Sequence, residues 1–263
     1  MVCNLPTREQ NSHKGTFGRV LNVAGSKYMP GAAYLSSVSA LKIGCGYCFL
    51  ASCESVIKAV SAQTQNVVFV SIKDLKKELK VADVVEIGCG LTTSYSAKKL
   101  LKTVLKANLP TIIDADGLNI LAENNFDLPK DVILTPHPKE ASRLLKVDTD
   151  EILSNPERYA KEISKKYNCV TVLKLHNTVV CSKDLEIYIN TTGNSALAKA
   201  GSGDVLTGMI AGLTAQKMNL FDAAKLGVYL HGFCGEIASK DLTEYSVMAH
   251  DLINYIPKAI KLL

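Results

Sequence analysis

The chain has 263 residues, of which 47% are hydrophobic and 21% are charged. This composition can bury a substantial core, and it excludes intrinsic disorder. Thirty basic and twenty-five acidic residues give a net charge of +5. That charge would favour anionic small molecules, but it is too small to indicate nucleic acid or a membrane surface as a partner.

No segment of the sequence predicts export or membrane insertion. Met1 to Gly15 is polar, and no apolar run approaches the ~20 residues that cross a bilayer. We therefore expect a soluble cytoplasmic protein, in which the eight cysteines are reduced apolar residues. Cys45 and Cys48 form a CxxC pair that Cys53 and Cys89 could join. Without a second CxxC or a histidine pair, the sequence does not favour a metal or redox site.

Short β-branched runs alternate with longer segments of helical period, which is typical of a mainly parallel sheet covered by helices on both faces. The predicted strands are Arg19–Ala24, Tyr47–Ala51, Val67–Ser71, Asp83–Ile87, Thr111–Asp114, Val132–Leu134 and Val170–Leu175. Two further runs, Thr178–Cys181 and Glu186–Ile189, alternate in polarity around Ser182–Leu185. They predict an antiparallel hairpin appended to the sheet.

Helical periodicity predicts three helices between the strands and three that close the chain. These segments are Ala32–Ile43, Ser96–Ala107, Glu157–Tyr167, Asp204–Gln216, Leu220–Lys240 and Met248–Ile256 or beyond. The sequence contains no internal repeat, low-complexity tract or charged linker. We expect one α/β domain over residues 1–263.

The most informative stretch runs from Asn190 to Asp204 and leads directly into a predicted helix. Gly201 and Gly203 allow close approach of a ligand to the backbone, and the N–H groups of a first helical turn attract anions. Asp204, in the same turn, could take a proton from a hydroxyl as it attacks a bound phosphoryl group. Alternatively, Ser202 or Asp204 only caps the helix. Small residues at Gly208, Ala211 and Gly212 favour the ligand site.

Further polar residues follow other predicted strands, at the sheet edge where ligands of such folds bind. His137 and Glu140, in the segment Thr135-Pro-His-Pro-Lys-Glu140, suit ligand contact better than metal binding, with helix capping by Thr135 or Glu140 as the alternative. Asp114 and Asp116 could orient a hydroxyl or a hydrated magnesium ion, or could cap a helix. Glu86-Ile-Gly-Cys-Gly90 is a weak glycine motif, and Lys14 is a possible phosphate contact.

Taken together, these segments resemble the ADP- or ATP-dependent NAD(P)H-hydrate dehydratases of the ribokinase-like superfamily. The resemblance rests on His13–Val20, Gly31–Ala32, Ile87–Gly90, Asp114–Asp116, Thr135–Glu140, Val172–Lys174, Gly193–Asn194 and Gly201–Gly208. Gly-Ser-Gly-Asp by itself indicates only the superfamily. Lys-Gly-x-Phe-Gly-Arg-Val together with Thr-Pro-His-Pro is specific to the dehydratases.

The resemblance implies a ribokinase-like fold and a repair enzyme that dehydrates NADH hydrate and NADPH hydrate. The ring hydroxyl would be phosphorylated by ADP or ATP, with Mg²⁺, and phosphate would then be eliminated. By position, Asp204 is similar to the family's catalytic base, and Ala32, Gly90 and His137 are similar to its hydrate contacts. The nucleotide contacts implied by the resemblance are Lys174, Leu175, His176, Asn177, Thr178, Gly201, Ser202 and Gly203. A homo-oligomer, such as a tetramer, is also implied, without a metal held by protein ligands.

The sequence departs from the family pattern where it would face the nucleotide. Leu175 and His176 replace a glycine and a small residue, and Lys199 adds a charge before the anion hole. The usual second glycine after Gly90 is also replaced. The choice between ADP and ATP therefore stays open. We expect no fused epimerase domain, since the chain is too short to include one.

Two other functions remain compatible with the motifs. A ribokinase-like kinase of hydroxyethylthiazole or hydroxymethylpyrimidine would share the glycine hole and the aspartate base, but it should lack the Lys-Gly-x-Phe-Gly-Arg and Thr-Pro-His-Pro set. A nucleotide-binding module without catalysis would explain Leu175, His176 and Lys199. Asp204 argues against that module, because a carboxylate beside a phosphate contributes little to binding.

Overall fold

A computed structural model describes residues 4–263, and within them nine strands form one sheet in the order β3-β2-β1-β4-β5-β6-β7-β8-β9. Strands β1 to β7 are parallel, whereas β8 and β9 are antiparallel to their neighbours. The strands are β1 (Arg19–Val23), β2 (Tyr47–Ser52), β3 (Val68–Ser71), β4 (Val84–Ile87), β5 (Thr111–Ile113), β6 (Val132–Leu134), β7 (Val170–Leu173), β8 (Val179–Cys181) and β9 (Ile187–Ile189). The predicted parallel sheet and its hairpin are confirmed.

Eleven α-helices of the described residues cover this sheet. They are α1 (Pro30–Lys42), α2 (Glu54–Ser61), α3 (Leu75–Glu78), α4 (Tyr95–Leu105), α5 (Asp116–Ala122), α6 (Pro138–Leu145), α7 (Thr149–Ser154), α8 (Pro156–Tyr167), α9 (Ser202–Ala215), α10 (Leu220–Ser246) and α11 (Ala249–Lys261). None of them combines the length and the apolar character that crossing a bilayer requires.

The six predicted helices are present, and their ends differ from the predicted ones by at most six residues. The largest displacement is in α10, which continues past the predicted Lys240 to Ser246 and is kinked at Thr243, where φ is 65°. The prediction missed α2, α3, α5 and α7 and did not delimit α6. These helices have eight residues or fewer, too few to show a clear helical period.

Alternation along the strands divides the core between the two faces of the sheet. Ile113 packs with the cluster that includes α4 to α8, whereas its neighbour Ile112 packs with the cluster that includes α9 and α10. Val85 and Val84 divide in the same way. Successive strand residues point to opposite faces, so the sheet is covered on both sides, as predicted.

Helix α9 packs closely against α1 through its small residues. A Cβ at Gly208 would lie 2.1 Å from the carbonyl oxygen of Ser36, and one at Gly212 would lie 2.6 Å from that of Ala40. The inference that these glycines make room for a ligand is therefore wrong, since they make room for a neighbouring helix. We call this contact the α1–α9 seam.

The described cysteines are free thiols. Cys45 and Cys48, the CxxC pair, are both buried. Burial raises the pKa of Cys45 to about 12 and raises that of Cys48 well above its usual value. Both thiols therefore stay protonated and unreactive at neutral pH. Cys3 lies outside the described residues.

Candidate active site

The candidate site lies at the carboxyl ends of the parallel strands. Strand β1 is flanked by β2 on one side and β4 on the other, so the order of the strands reverses there. Ligands of open α/β sheets bind in the crevice beyond such a reversal. The segments after β1, β4, β5, β6 and β7 carry the residues predicted for the site.

The first turn of α9 forms the predicted anion hole. Gly201, with φ of 91°, precedes the helix and has no side chain to cap it. The N–H groups of Gly203 and Asp204 therefore point outward at the positive end of a 14-residue helix. Neither Ser202 nor Asp204 caps the helix, so that alternative is wrong. The Ser202 hydroxyl instead lies 3.1 Å from Nε2 of the buried His231.

A buried ion pair lies directly below the anion hole. Lys174 Nζ, just after β7, donates to Asp114 Oδ1, just after β5, at 2.6 Å. Thr207 of α9 donates to the other oxygen of Asp114 at 2.7 Å. A Cβ at Gly203 would be 3.5 Å from Lys174 Nζ. The lysine ammonium therefore adds positive charge where the helix end already attracts an anion.

Asp204 is a carboxylate with a raised proton affinity. Burial, followed by the charge of Asp114, raises its pKa to about 6, and a hydrogen bond from Cys89 and the charge of Lys174 limit the rise. At neutral pH most Asp204 carboxyl groups are therefore ionised, yet the carboxylate is basic enough to accept a proton during catalysis.

His137 is held rigidly at the start of α6. Its Nδ1 accepts hydrogen bonds from the N–H groups of Lys139 and Glu140, and a Glu140 oxygen accepts one from the backbone N–H of His137. The sequence predicted that Thr135 or Glu140 could cap this helix. In the structure, His137 and Glu140 cap the start of α6 together. Nε2 carries the ring proton and lies 3.3 Å from Glu140. Burial lowers the pKa of His137, so its ring is neutral at neutral pH.

Gly90 and Ala32, predicted to contact the hydrate, are neighbours. A Cβ at Gly90 would lie 2.8 Å from Cβ of Ala32 and 3.0 Å from the carbonyl oxygen of Met29. The residue before Gly90 is Cys89, whose thiol lies within 4.8 Å of carboxylate oxygens of Asp114 and Asp204. The predicted hydrate contacts on α1 and after β4 therefore adjoin the base.

A cleft of about 680 Å³ opens beside the anion hole. Seven of the predicted site residues line it: His137, Lys174, Leu175, His176, Thr178, Ser202 and Gly203. Lys199 also lines it, although its ammonium donates to the carbonyl oxygen of Tyr245. The cleft is large enough for a nucleotide.

Three predicted contacts lie elsewhere. Asn177 is exposed in the turn between β7 and β8 and does not line the cleft. Gly201 packs against Leu35 and Ala249, so it shapes the turn. Lys14 lies near the ring of Tyr47, at the amino end of β2. Lys14 is therefore at the edge of the sheet opposite the cleft, and its assignment as a phosphate contact is wrong.

Two carboxylates of the site, Asp114 and Asp116, are occupied by protein donors. Both oxygens of Asp114 are bonded, and Asp116 accepts hydrogen bonds from the Thr92 N–H at 2.7 Å and from Asn119. Among the described residues, Cys89, Asp114 and Asp204 are the group whose donor atoms converge as metal ligands would. Lys174 already supplies a positive charge beside this group.

Sequence reasoning did not identify Thr207, His231 or Cys89 as part of the site. Thr207 follows Gly203 by one helical turn, and His231 is a polar residue within an apolar stretch of α10. Both positions carry a weak signal, namely a polar group on a face that helical spacing predicts to be buried. Their partners, Asp114 and Ser202, are distant in sequence and could not be assigned.

Comparison with known proteins places this site in a family. A family model described as NAD(P)H-hydrate dehydratase matches residues 20–258. The ADP-dependent (S)-NAD(P)H-hydrate dehydratase of Bacillus subtilis is 36% identical, over 98% of this chain and 94% of that protein. The bifunctional NAD(P)H-hydrate repair enzyme of Moorella thermoacetica is 37% identical over 98% of this chain, which spans 52% of that enzyme. This chain thus has about half the length of the bifunctional relatives.

Solved structures agree with the sequence comparison. The crystal structure of the Bacillus subtilis ADP/ATP-dependent enzyme, co-crystallised with ATP and Mg²⁺, superimposes with a TM-score of 0.89 at 36% identity, covering 98% of this chain and 94% of that one. A hydroxyethylthiazole kinase from Pyrococcus horikoshii shares the fold, with a TM-score of 0.69, but only 12% of the sequence. The resemblance inferred from the motifs is confirmed: the chain belongs to the NAD(P)H-hydrate dehydratase family.

Proposed function

We propose that this protein dehydrates NADH hydrate and NADPH hydrate at the expense of a nucleotide. The observation that carries this proposal is the first turn of α9, where the N–H groups that bind an anion and the carboxylate of Asp204 belong to adjacent residues. A phosphoryl group and the hydroxyl that attacks it must lie side by side. One helical turn provides both positions.

In the proposed reaction, Asp204 takes the proton of the hydrate hydroxyl while that oxygen attacks the terminal phosphorus of ADP or ATP. The P–O bond to the leaving nucleotide breaks, giving AMP or ADP. The ring nitrogen then donates its electron pair, the C–O bond to the phosphorylated oxygen breaks, and inorganic phosphate leaves. Loss of a ring proton restores the dihydronicotinamide. Phosphorylation is required because hydroxide is a poor leaving group and phosphate is a good one.

The residues around Asp204 support the phosphoryl transfer. Lys174, fixed by Asp114, and the N–H groups of Gly203 and Asp204 stabilise negative charge on the transferring group. The cleft lined by Leu175, His176 and Thr178 would hold the nucleoside.

Mg²⁺ would arrive with the nucleotide. The oxygens of Asp114 and Asp116 are bonded to protein donors, and the proposed reaction uses Asp204 as the base. Nucleotide phosphates and water can satisfy Mg²⁺ instead. The ion would neutralise phosphate charge, and the protein would position the complex through backbone N–H groups and Lys174.

The test supplies purified protein with NADH hydrate or NADPH hydrate and with either ADP or ATP. We expect the dihydronicotinamide absorbance to return and phosphate to be released in equal amount. Comparing the rates with ADP and with ATP also shows which nucleotide is the phosphoryl donor. Asp204→Asn is the matched control, since it keeps the shape of the side chain but cannot act as a base. Phosphorylated hydroxyethylthiazole or hydroxymethylpyrimidine as the preferred product would establish a small-molecule kinase instead.

We also propose that the protein is a homo-oligomer in a reducing compartment such as the cytoplasm. Exposed apolar side chains lie before α1 at Tyr28 and Met29, at the end of α10 at Tyr245, and just before α11 at Met248. Exposed apolar side chains of this size favour association. The free thiols suit reducing conditions. Light scattering of the purified protein tests the assembly, and a monomer at micromolar concentration would contradict it.

A further inference from the structure

Glu86 is a fully buried carboxyl group in the middle of β4. It points to the face of the sheet that α1 and α9 cover, together with Asn22 in the facing position of β1. One Glu86 oxygen accepts a hydrogen bond from the Cys89 thiol at 3.6 Å, and the other has no partner among the described residues. The Asn22 amide donates to the hydroxyls of Ser36 and Ser37.

The surroundings of Glu86 favour its neutral form. No lysine or arginine pairs with it among the described ion pairs. Burial, followed by the charge of Asp204, raises its pKa to about 8. An unpaired buried charge is costly, and protonation removes that cost. At neutral pH Glu86 is therefore predominantly a carboxylic acid.

Cys89 lies between this acid and the base. Its thiol hydrogen-bonds to Glu86 and is also placed to bond to Asp204. Burial and three nearby carboxyl groups, Asp204, Glu86 and Asp114, raise the pKa of the thiol well above its usual value. The thiol stays protonated, and its single proton can serve only one of the two carboxyl acceptors at a time.

We propose that Cys89 is a positioning residue whose thiol donates to Asp204 while that carboxylate is anionic, and turns to Glu86 once Asp204 has taken the substrate proton. The inference rests on the proposed function, in which Asp204 is the base. The thiol orients the carboxylate and stabilises its charge before the reaction. Glu86 offers an acceptor afterwards, so the thiol is never left without a partner in the core.

The other groups facing Asp204 do not exchange partners in this way. Asp114 is held by Lys174 and Thr207, and Asp116 is held by Thr92 and Asn119. The charges of these groups still act on Asp204: Asp114 and Asp116 raise its pKa, and Lys174 lowers it. Those effects remain when Cys89 is changed, so a variant at Cys89 isolates the contribution of the thiol.

The decisive measurement follows the S–H stretching band of Cys89 by infrared spectroscopy, in protein without substrate or nucleotide. The band is assigned by subtracting the spectrum of Cys89→Ala, or of Cys89→Ser if the alanine variant does not fold. We expect the wild-type band to shift as pH passes through the ionisation of Asp204. In Asp204→Asn the shift should be absent. A wild-type band that does not respond to pH overturns the proposal.

Kinetics provide a second test with a matched control. In Cys89→Ala the acid limb of the pH profile of kcat should move to higher pH by about one pH unit, because the Asp204 carboxylate loses the thiol as a hydrogen-bond donor. The serine variant should restore it, since a hydroxyl donates to the same carboxylate. Cys169→Ala removes another buried thiol at the amino end of β7 and should leave the profile in place.

The two tests separate this inference from the proposed function. A lower kcat in Cys89→Ala without any movement of the acid limb means that the thiol only packs the core, which overturns the positioning role while the activity stands. A spectral response without dehydratase turnover would instead support the exchange of partners at Asp204 and reject the proposed reaction.

Discussion

Replacing Glu86 by glutamine should make the protein more stable, and the gain should depend on pH. The pKa of Glu86 rises from 4.5 in an exposed group to about 8 in the fold, chiefly through burial. The folded protein therefore holds a proton that the unfolded chain releases between those values. A carboxyl group with a raised pKa lowers the free energy of unfolding as pH rises through this window. The glutamine side chain does not ionise, so the free energy of unfolding of the variant does not fall in this window.

The size of the effect follows from the shift. A difference of about 3.5 between the two pKa values, at 1.36 kcal/mol each, gives at most about 5 kcal/mol between pH 4.5 and about 8. The stability difference between Glu86→Gln and the wild type should therefore grow by up to about 1.4 kcal/mol per pH unit and level off above about pH 8. Asp204 and Glu140, whose pKa values are also raised, act in both proteins and largely cancel.

Urea denaturation of both proteins at several values from about pH 5 to about pH 9 measures this difference. Glu162→Gln is the control, because Glu162 lies on the exposed face of α8 and pairs with Arg158. A stability difference that is the same at every pH would show that Glu86 is not held neutral by burial. That result would falsify the reasoning.

Three further predictions concern the site. Asp204→Asn should lower kcat by about 10²- to 10⁴-fold with unchanged nucleotide affinity, and wild-type kcat should fall as pH drops through about 6, where the pKa of Asp204 lies. In Gly203→Ala the new Cβ would lie no closer than 3.5 Å to protein atoms, so the melting temperature should be unchanged. Nucleotide binding should weaken by about tenfold, because the methyl group enters the anion hole. In Gly208→Ala the new Cβ would lie 2.1 Å from a backbone atom, so this variant should instead lose about 1–3 kcal/mol of stability. Lys174→Met should cost about 3–5 kcal/mol in urea denaturation by leaving its buried partner unpaired, whereas Lys183→Met, at a more exposed pair, should cost at most about 1 kcal/mol. Equal losses in the two lysine variants, unchanged nucleotide affinity in Gly203→Ala, or retained turnover in Asp204→Asn would each contradict the corresponding role.

The sequence predicted the sheet well because its signal is local. Buried parallel strands are short β-branched runs, and the hairpin alternates in polarity, so both could be recognised without tertiary information. The rule that ligands bind at strand ends also predicted that Asp114 and His137 lie at one edge of the sheet, whereas Lys174 was indicated only by the family resemblance. Helices α3 and α7 were missed because one or two turns show no clear period.

The pairing of side chains across the site could not be predicted in the same way. Asp114 and Lys174 are 60 residues apart, and nothing local indicates that they form an ion pair. Gly208 carries the same local signal whether a ligand or a helix approaches it. Glu86 did carry a usable signal, a lone charge in an otherwise apolar strand, but its meaning depends on Cys89 and Asp204.

The α1–α9 seam also limits how the site can move. Ala32 lies in the first turn of α1 and Asp204 in the first turn of α9, and backbone-to-backbone contact at Gly208 and Gly212 locks these two helices together. The predicted hydrate contact Ala32 and the base Asp204 are therefore held in a fixed relation to each other. A substitution that separates α1 from α9 at this seam would therefore displace both groups relative to each other.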